Sequence, residues 1–239
     1  MHKVKKAIIM AAGLGSRLRP ITLHMPKPLI NVNGKRMIDT IIQSLRYNGI
    51  YEIHIVVGYK KDCFEELLEQ YTGIDLIENP YYDISNNISS LYVAREYLDD
   101  CIILDGDQMI YNSDVLSPYF ERSGYNSVWT EEDTDEWLQE VKEGRVVSCS
   151  RTGGKNGWQL YSVSRWSSTD ARRLRGHLEI EFEKKKNYQI YWDDLAMFCY
   201  PEQYNLAVFP MNKGDIVEID SINELAQIDS KYKKYLKEK

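Results

Sequence analysis

Strands and helices alternate along the first 110 residues, and this alternation constrains the fold more than any other feature of the chain. The segments "KAIIMA", "EIHIVVG", "IDLIEN" and "CIILDGD" are short apolar or β-branched runs that predict strands. Helices are predicted between them, at residues 38–45, at "KKDCFEELLEQY" and at "ISSLYVAREYLDD". Alternating strands and helices form βαβ units with right-handed crossovers. The sequence therefore predicts an α/β three-layer sandwich around a largely parallel sheet.

The second half of the chain follows a less regular pattern. The segments "YNSVWT", "EVKEGRVVSCS" and "WQLYSVSRW" predict antiparallel strands, with turns at Gly144 and at Gly153-Gly154. Helices are predicted near 168–185, 192–199 and 221–237, and strands at "NLAVFP" and "GDIVEID". No repeat or low-complexity linker divides the chain. We therefore interpret residues 1–239 as a single domain with a mixed, mainly parallel sheet.

Charge and cysteine content exclude several classes of protein. The formal net charge of −6 argues against bulk binding to nucleic acid or to a membrane surface. The four cysteines are scattered and form no CxxC pair, which argues against a disulfide framework or a zinc site. No apolar run approaches the roughly 18 residues of a membrane span. We expect a cytoplasmic protein with neither a nucleic-acid nor a membrane partner, and the sequence leaves its oligomeric state open.

A glycine-rich, basic loop follows the first long strand. In parallel α/β sheets, ligands bind beyond the carboxyl ends of the strands, which is where this loop lies. Gly13 and Gly15 allow backbone N–H groups to approach an anion closely. Arg17 adds a forked donor and Lys27 a mobile positive charge. The loop therefore predicts a phosphate site.

Two common phosphate motifs do not fit this loop. A P-loop requires GxxxxGK[ST], which the chain lacks. A dinucleotide fingerprint requires a third glycine where this chain has Leu18, and it also requires a helix that starts in the loop. Prolines exclude that helix; they are Pro20, Pro26 and Pro28.

The segment "AAGLGSRLRPITLHMPKPL" resembles the signature loop of nucleotidyltransferases, which transfer NMP from an NTP to a phosphorylated small molecule. Sugar-1-phosphate nucleotidylyltransferases and bacterial choline-phosphate cytidylyltransferases share this loop. The resemblance implies a Rossmann-like, nucleotide-diphospho-sugar transferase-like fold. It also implies that the loop wraps the triphosphate and that Lys27 and Arg17 assist the transfer. The implied phosphate-binding residues are Ala11, Ala12, Gly13, Leu14, Gly15, Ser16, Arg17 and Lys27.

Carboxylates end two of the predicted strands. "CIILDGDQMI" places Asp105 and Asp107 two residues apart, and "GDIVEIDS" places Asp220 before the last helix. Taken alone, Asp220 fits a helix N-cap beside Ser221 equally well. Mg²⁺ favours one or two carboxylates together with phosphate oxygens and water. The resemblance assigns Asp107 and Asp220 to Mg²⁺, and it leaves Asp105 at the nucleotide site as a structural or supporting residue.

The implied reaction is attack by an acceptor phosphate oxygen on the α-phosphorus, with pyrophosphate leaving in line. A phosphomonoester has a second pKa of about 6, so no general base is required. For the nucleotide base, Asn86, Asn87 and Ser90 follow the third strand and face the same rim. The alternative interpretation is an Asx-rich turn with a serine cap. The resemblance to the choline-phosphate enzymes favours CTP.

Aromatic residues beside acids suggest the acceptor. A trimethylammonium group has no N–H to donate and is held by ring faces and nearby negative charge. The predicted acceptor site is Trp137, Tyr191, Trp192 and Asp193, in segments that resemble the "EW" and "YWD" of the choline-phosphate enzymes. The partners implied are CTP and phosphocholine. Phosphoethanolamine, aminoethylphosphonate or a sugar 1-phosphate are alternative acceptors, and a non-catalytic nucleotide-binding module is an alternative of another class.

The resemblance runs from residue 6 to about residue 230. It implies a nucleotide-binding half over about 1–110 and an acceptor-binding half over about 111–239. The chain departs from the family pattern at Ile88-Ser89 and in "RTGGKNGWQ". The contacts to the acceptor phosphate are therefore unassigned, with three basic candidates: Arg151, Lys155 and Arg165.

Overall fold

A computed structural model describes residues 1–237. The strands of the first half match the predicted positions closely. In chain order the strands are β1 (His2–Lys3), β2 (Lys6–Ala11), β3 (Asn31–Val32), β4 (Lys35–Arg36), β5 (Glu52–Val57), β6 (Ile74–Glu78), β7 (Cys101–Asp105), β8 (Gln108–Ile110), β9 (Tyr119–Phe120), β10 (Gly124–Thr130), β11 (Leu138–Lys142), β12 (Arg145–Ser150), β13 (Gly157–Trp166), β14 (Ala207–Pro210) and β15 (Ile216–Glu218).

The helices lie near the predicted positions, although those at "KKDCFEELLEQY" and "ISSLYVAREYLDD" are shorter than the sequence pattern predicts. The α-helices are α1 (Met37–Tyr47), α2 (Glu66–Gln70), α3 (Ile88–Val93), α4 (Ser168–Glu179) and α5 (Ile222–Ile228). Short 3₁₀ segments include Ser16–Leu18, Ile21–Leu23, Lys27–Leu29, Lys61–Phe64, Arg95–Tyr97, Ser113–Leu116, Pro201–Gln203 and Ser230–Lys237, and π-helical turns cover Ile180–Lys184 and Leu195–Cys199. The predicted helix 221–237 breaks at Asp229, which adopts an extended conformation and accepts the Asn33 N–H at 2.8 Å.

The central sheet is mixed, as predicted. Its strands follow the spatial order β6-β5-β2-β7-β13-β10-β14, so both halves of the chain contribute to it. The strands β6, β5, β2 and β7 are parallel to one another, whereas β13 is antiparallel to β7 and to β10. The β11–β12 hairpin extends the sheet beside the first residues of β13.

Helices cover both faces of the sheet, which confirms the three-layer prediction. Along β2, Ala7 and Ile9 pack in one core cluster, which includes the apolar residues of α1. The intervening Ile8 and Met10 pack in a second cluster, which includes the apolar residues of α3 and α4. A strand buried on both faces reads as a continuous apolar run, which explains "KAIIMA". No helix within residues 1–237 is long and apolar enough to cross a membrane.

The strand order places one edge of the sheet at a topological switch point. β2 lies between β5 and β7. The chain first adds β5 and β6 on one side of β2 and then crosses over to add β7 on the other side. Crevices that bind ligands open at such points, beyond the carboxyl ends of the strands. The loops that follow β2 and β7 therefore meet at this edge.

Candidate active site

A cavity of about 370 Å³ opens at this edge of the sheet. All of the nucleotide-site and metal-site residues predicted from the sequence line it. They are Ala11, Ala12, Gly13, Leu14, Gly15, Ser16, Arg17, Lys27, Asn86, Asn87, Ser90, Asp105, Asp107 and Asp220. Asp220 comes from the second half of the chain and reaches the cavity because β15 pairs with β8, directly after the β7 loop.

Gly15 is required by the packing of the loop itself. Its backbone adopts a φ of +60°, which favours glycine. A Cβ at this position would lie 2.9 Å from the Thr22 Cγ2 and 3.1 Å from the Lys27 Cβ. Thr22 also donates a hydrogen bond from its hydroxyl to the Gly15 carbonyl at 2.9 Å. The absent side chain therefore lets the segment that carries Lys27 pack against the loop.

Gly13 differs, because a Cβ built there meets no protein atom within 4 Å and the backbone has no positive φ. We therefore expect Gly13→Val to fold normally and to lose most nucleotide binding, since its added methyl groups enter the space of the triphosphate. The measurement is thermal stability together with CTP binding by calorimetry. Gly13→Ala is the graded control, and wild-type affinity for CTP in Gly13→Val would contradict the placement of the triphosphate.

Lys27 lies at the centre of the charged groups. Its side chain is 9% exposed, and its Nζ donates to the Asp107 Oδ2 at 2.6 Å and to the Asp220 Oδ1 at 2.7 Å. Burial opposes the charge on Lys27, but the two carboxylates outweigh it and raise its pKa. Arg17, largely exposed, donates from Nη2 to the same Asp220 oxygen at 2.9 Å. Lys27 is therefore held as a cation at the floor of the cavity.

The structure separates the two interpretations of Asp220. Ser221, not Asp220, is the N-cap of α5, because its hydroxyl accepts the Glu224 N–H and Glu224 reciprocates in a capping box. The Asp220 carboxylate instead contacts Lys27 and Arg17. Although burial favours the neutral form, these two cations lower the pKa of Asp220 below its ordinary value. Asp220 is therefore an ionised group that faces the cavity.

Asp107 and Asp220 suit Mg²⁺ bound together with a triphosphate. Within residues 1–237 no three His, Cys, Asp or Glu side chains form a metal cluster by themselves. Two carboxylates at one end of a cavity are nevertheless the protein share of a typical Mg²⁺ site, which phosphate oxygens and water complete. The donor set therefore fits the predicted ion when a nucleotide is present.

Three carboxyl groups with raised pKa values surround this centre. Burial, together with the charge of Asp107, raises the pKa of Asp105 well above its ordinary value. The same two causes raise the pKa of Glu218 to about 8. Burial and the charge of Asp220 also raise the pKa of Glu136. The sequence analysis missed Glu218, although it lies only two residues before Asp220, at the end of β15.

The predicted base-binding amides make structural contacts as well as lining the cavity. Asn86 donates from Nδ2 to the Gln189 carbonyl at 3.2 Å, and Asn87 accepts the Trp192 N–H at 3.0 Å. Ser90 is 5% exposed and lies behind them. A further buried residue, Asn79, was missed by the sequence analysis; its signal is a lone amide directly after β6 at the carboxyl edge.

Two of the predicted acceptor rings pack against each other. Trp137 and Tyr191 pack edge to face, with 5.8 Å between their ring centroids. The neighbouring Glu136 lies close enough to Asp220 to raise its own pKa, and the neighbouring Trp192 amide is bonded to Asn87. The pair itself does not line the cavity, but its chain neighbours Glu136 and Trp192 connect it to cavity residues.

Trp192 and Asp193 belong to the core, which corrects the prediction that they form an accessible acceptor surface. The Trp192 side chain is 1% exposed and packs against Tyr125 and Trp166, each with 6.0 Å between centroids. Asp193 is 4% exposed, and burial raises its pKa to about 7. The pattern "YWDD" does not reveal which of its adjacent rings points outward, and only Tyr191 does, at 47% exposure.

We expect Trp192→Ala to destabilise the fold by about 3–5 kcal/mol, because it leaves a cavity among packed rings. Trp192→Phe preserves most of that packing and is the matched control. The measurement is the free energy of unfolding by urea titration. If Trp192→Ala left the free energy of unfolding unchanged and lowered activity toward one acceptor only, Trp192 would belong to the acceptor site as the sequence predicted.

The basic candidates for the acceptor phosphate differ in their surroundings. Arg165 is 3% exposed, and its guanidinium donates to the backbone carbonyls of Ser117 and Val115, which makes it a core residue. Arg151 is half-exposed; it bonds Asp194 from Nε at 3.0 Å and stacks 3.9 Å from the Phe198 ring centroid. Lys155 is exposed.

Comparison with known proteins agrees with this geometry. Residues 6–122 match the family described as nucleotidyl transferase. The chain is 36% identical to a 2-aminoethylphosphonate cytidylyltransferase of Lancefieldella rimae, covering 95% of this chain and 92% of that protein. It is 34% identical to a choline-phosphate cytidylyltransferase of Streptococcus pneumoniae, covering 94% and 96%.

A solved structure also superimposes on the whole fold. The CTP:phosphocholine cytidylyltransferase from Streptococcus pneumoniae matches with a TM-score of 0.89 and 33% identity, covering 95% of this chain and 98% of that one. The chain therefore belongs to the nucleotidyltransferase family, as a cytidylyltransferase that acts on phosphorylated acceptors.

Proposed function

We propose that the protein transfers CMP from CTP to phosphocholine, releasing pyrophosphate and forming CDP-choline. The observation that carries the choice of acceptor is the Trp137–Tyr191 pair, whose chain neighbours Glu136 and Trp192 interact with the cavity residues Asp220 and Asn87. Ring faces and negative charge are what a quaternary ammonium group requires. The choline-phosphate relatives support the same acceptor.

The residues around the cavity divide the work of the transfer. The N–H groups of the loop at residues 12–17 bind the triphosphate, and Lys27 neutralises charge on the phosphoryl group as it is transferred. Asp107 and Asp220 would hold Mg²⁺, which supplies further charge neutralisation to the phosphate oxygens. The acceptor phosphate is already largely ionised near neutral pH, so positioning and electrostatics suffice.

One specific observation favours a second acceptor, 2-aminoethylphosphonate. Because Trp192 is in the core, two of the three predicted acceptor rings remain, Trp137 and Tyr191. The Arg151 guanidinium lies 5.9 Å from the Trp137 ring centroid, so one of these rings already has a cation over it. A primary ammonium needs hydrogen-bond acceptors rather than rings, and the carboxyl group of Glu136 offers them. The Lancefieldella rimae relative supports this acceptor.

The alternative of a non-catalytic nucleotide-binding module receives no support from the site. A module that only binds nucleotide has no need for a buried lysine held between two carboxylates at the phosphate end of the cavity. The same geometry is what in-line transfer of a charged phosphoryl group requires. We therefore retain the catalytic interpretation.

The acceptor choice is tested by Trp137→Ala. A desolvated cation–π contact is worth about 2 kcal/mol, so we expect kcat/KM for phosphocholine to fall about 30-fold. The KM for CTP is expected to stay unchanged. The measurement is steady-state kinetics with phosphocholine and with 2-aminoethylphosphonate, each at saturating CTP.

The matched control is Trp129→Ala, which removes another tryptophan, one that is 47% exposed on β10. Preference of the wild type for 2-aminoethylphosphonate, with no effect of Trp137→Ala, would replace the first acceptor by the second. If Trp137→Ala lowered kcat/KM equally for both acceptors, this ring would shape the site without recognising the head group.

A further inference from the structure

A buried polar network lines the end of the cavity that is formed by the chain after β6 and by the first turn of α3. Asn79, 1% exposed, donates from Nδ2 to the hydroxyl oxygens of Ser89 at 3.0 Å and Ser90 at 3.1 Å. All three side chains line the cavity. Because the triphosphate lies at the glycine loop, this end is where the nucleotide base fits.

The orientation of the Asn79 amide is fixed by a backbone group. The Tyr81 N–H donates to the Asn79 Oδ1 at 2.9 Å, and a backbone N–H can only donate. The amide oxygen therefore points to Tyr81, and the NH₂ group points to the two serines. Both serine oxygens must then accept from Asn79, which leaves each hydroxyl proton for another acceptor.

The two serine protons have different destinations. The Ser89 hydroxyl donates to the Asn86 carbonyl at 2.9 Å, so its proton is used inside the protein. The hydrogen bonds formed within residues 1–237 include none that uses the Ser90 proton. Ser90 is 5% exposed and lines the cavity, so its hydroxyl presents a donor to whatever occupies the base end.

We propose that Asn79 is a positioning residue that selects cytosine over uracil by holding Ser90 as a donor toward ring atom N3. Cytosine N3 has a lone pair and accepts this hydrogen bond, whereas uracil N3 carries a proton that opposes it. A site built to pair one partner discriminates because the wrong partner leaves buried polar groups unsatisfied. This inference rests on the proposed use of CTP and explains how the site recognises it.

The test is direct binding of CTP and of UTP, with Mg²⁺, measured by calorimetry without acceptor. We expect the wild type to bind CTP at least tenfold more tightly than UTP. Ser90→Ala removes the donor and is expected to reduce that ratio about fivefold, since one neutral hydrogen bond is worth roughly 1 kcal/mol. Ser89→Ala is the matched control, because the Ser89 proton stays inside the protein, and it should keep the ratio.

Asn79→Asp tests the positioning role itself. A carboxylate still accepts the Tyr81 N–H, but it cannot donate to the serines. Both hydroxyls then turn their protons toward residue 79, and Ser90 presents a lone pair to the cavity. We expect the CTP:UTP affinity ratio to fall to about 1 or below, with affinity for UTP increased. A variant that affected only packing would weaken the binding of CTP and of UTP equally and leave the affinity ratio unchanged.

These outcomes separate the inference from the proposed function. A wild type that binds CTP and UTP equally overturns the inference, whatever its activity. An unchanged ratio in Ser90→Ala also overturns it, even if Asn79→Asp fails to fold. Selective CTP binding that depends on Ser90, in a protein that releases no pyrophosphate with any acceptor, supports the inference and contradicts the proposed reaction.

Discussion

Asp107→Ala and Asp220→Ala are each expected to lower kcat for cytidylyl transfer by about 10²–10³-fold, while the fold stays intact. Each carboxylate contacts Lys27, and the pair is the donor set that fits Mg²⁺ at the triphosphate. The fold should tolerate the loss, because Ser221 and Glu224 cap α5 without the Asp220 side chain. The measurement is single-turnover transfer over a range of Mg²⁺ concentrations.

Asp133→Ala is the control for these two variants, since Asp133 is an exposed carboxylate on the loop beside β10. It should retain wild-type kinetics. If Asp107→Ala or Asp220→Ala reached near-normal rates at saturating Mg²⁺, that residue would have no part in the metal site. A rate loss accompanied by a lower unfolding temperature would assign the residue to stability instead.

Lys27→Ala is expected to lower kcat by on the order of 10²-fold, with a much smaller change in the KM for CTP. Negative charge on the transferring phosphoryl group is best neutralised in the transition state, so an interaction of this kind appears in kcat. Two carboxylates hold the Lys27 ammonium at 2.6 and 2.7 Å in the free protein. Its position is therefore set before the nucleotide binds.

Lys61→Ala is the matched control, because Lys61 is an exposed lysine that pairs with Glu78 at the surface. Lys27→Arg distinguishes charge from geometry: the Lys27 side chain is 9% exposed and its Nζ lies 2.6 and 2.7 Å from two carboxylates, so a bulkier guanidinium fits poorly and we expect poor rescue. A Lys27→Ala enzyme with normal kcat and a raised KM would make Lys27 a uniform binder of CTP.

The phosphate end of the site is predictable from sequence because its residues are close in the chain. The continuous apolar run of β2 predicts a strand covered on both faces, and the glycine loop follows at its carboxyl end. The prolines at 20, 26 and 28 replace a helix with 3₁₀ turns, which bring Lys27 back to the loop. Local rules of backbone geometry suffice for this part.

The rest depends on tertiary packing that a local pattern does not encode. Tyr191 and Trp192 are adjacent and equally aromatic, yet one is 47% exposed and the other 1%. Glu218 enters the site only because β15 pairs with β8. Asn79 is an ordinary amide in the sequence, and only its contacts with Ser89, Ser90 and Tyr81 show its place behind the cavity.

The most direct measurement is pyrophosphate release by the wild type, with each of the four NTPs against phosphocholine, 2-aminoethylphosphonate, phosphoethanolamine and glucose 1-phosphate. We expect release with CTP and not with the other nucleotides. The highest kcat/KM is expected with phosphocholine, with CDP-choline identified by mass spectrometry as the product. Preference for glucose 1-phosphate would contradict the cationic acceptor, and the absence of release from CTP with every acceptor would contradict cytidylyl transfer itself.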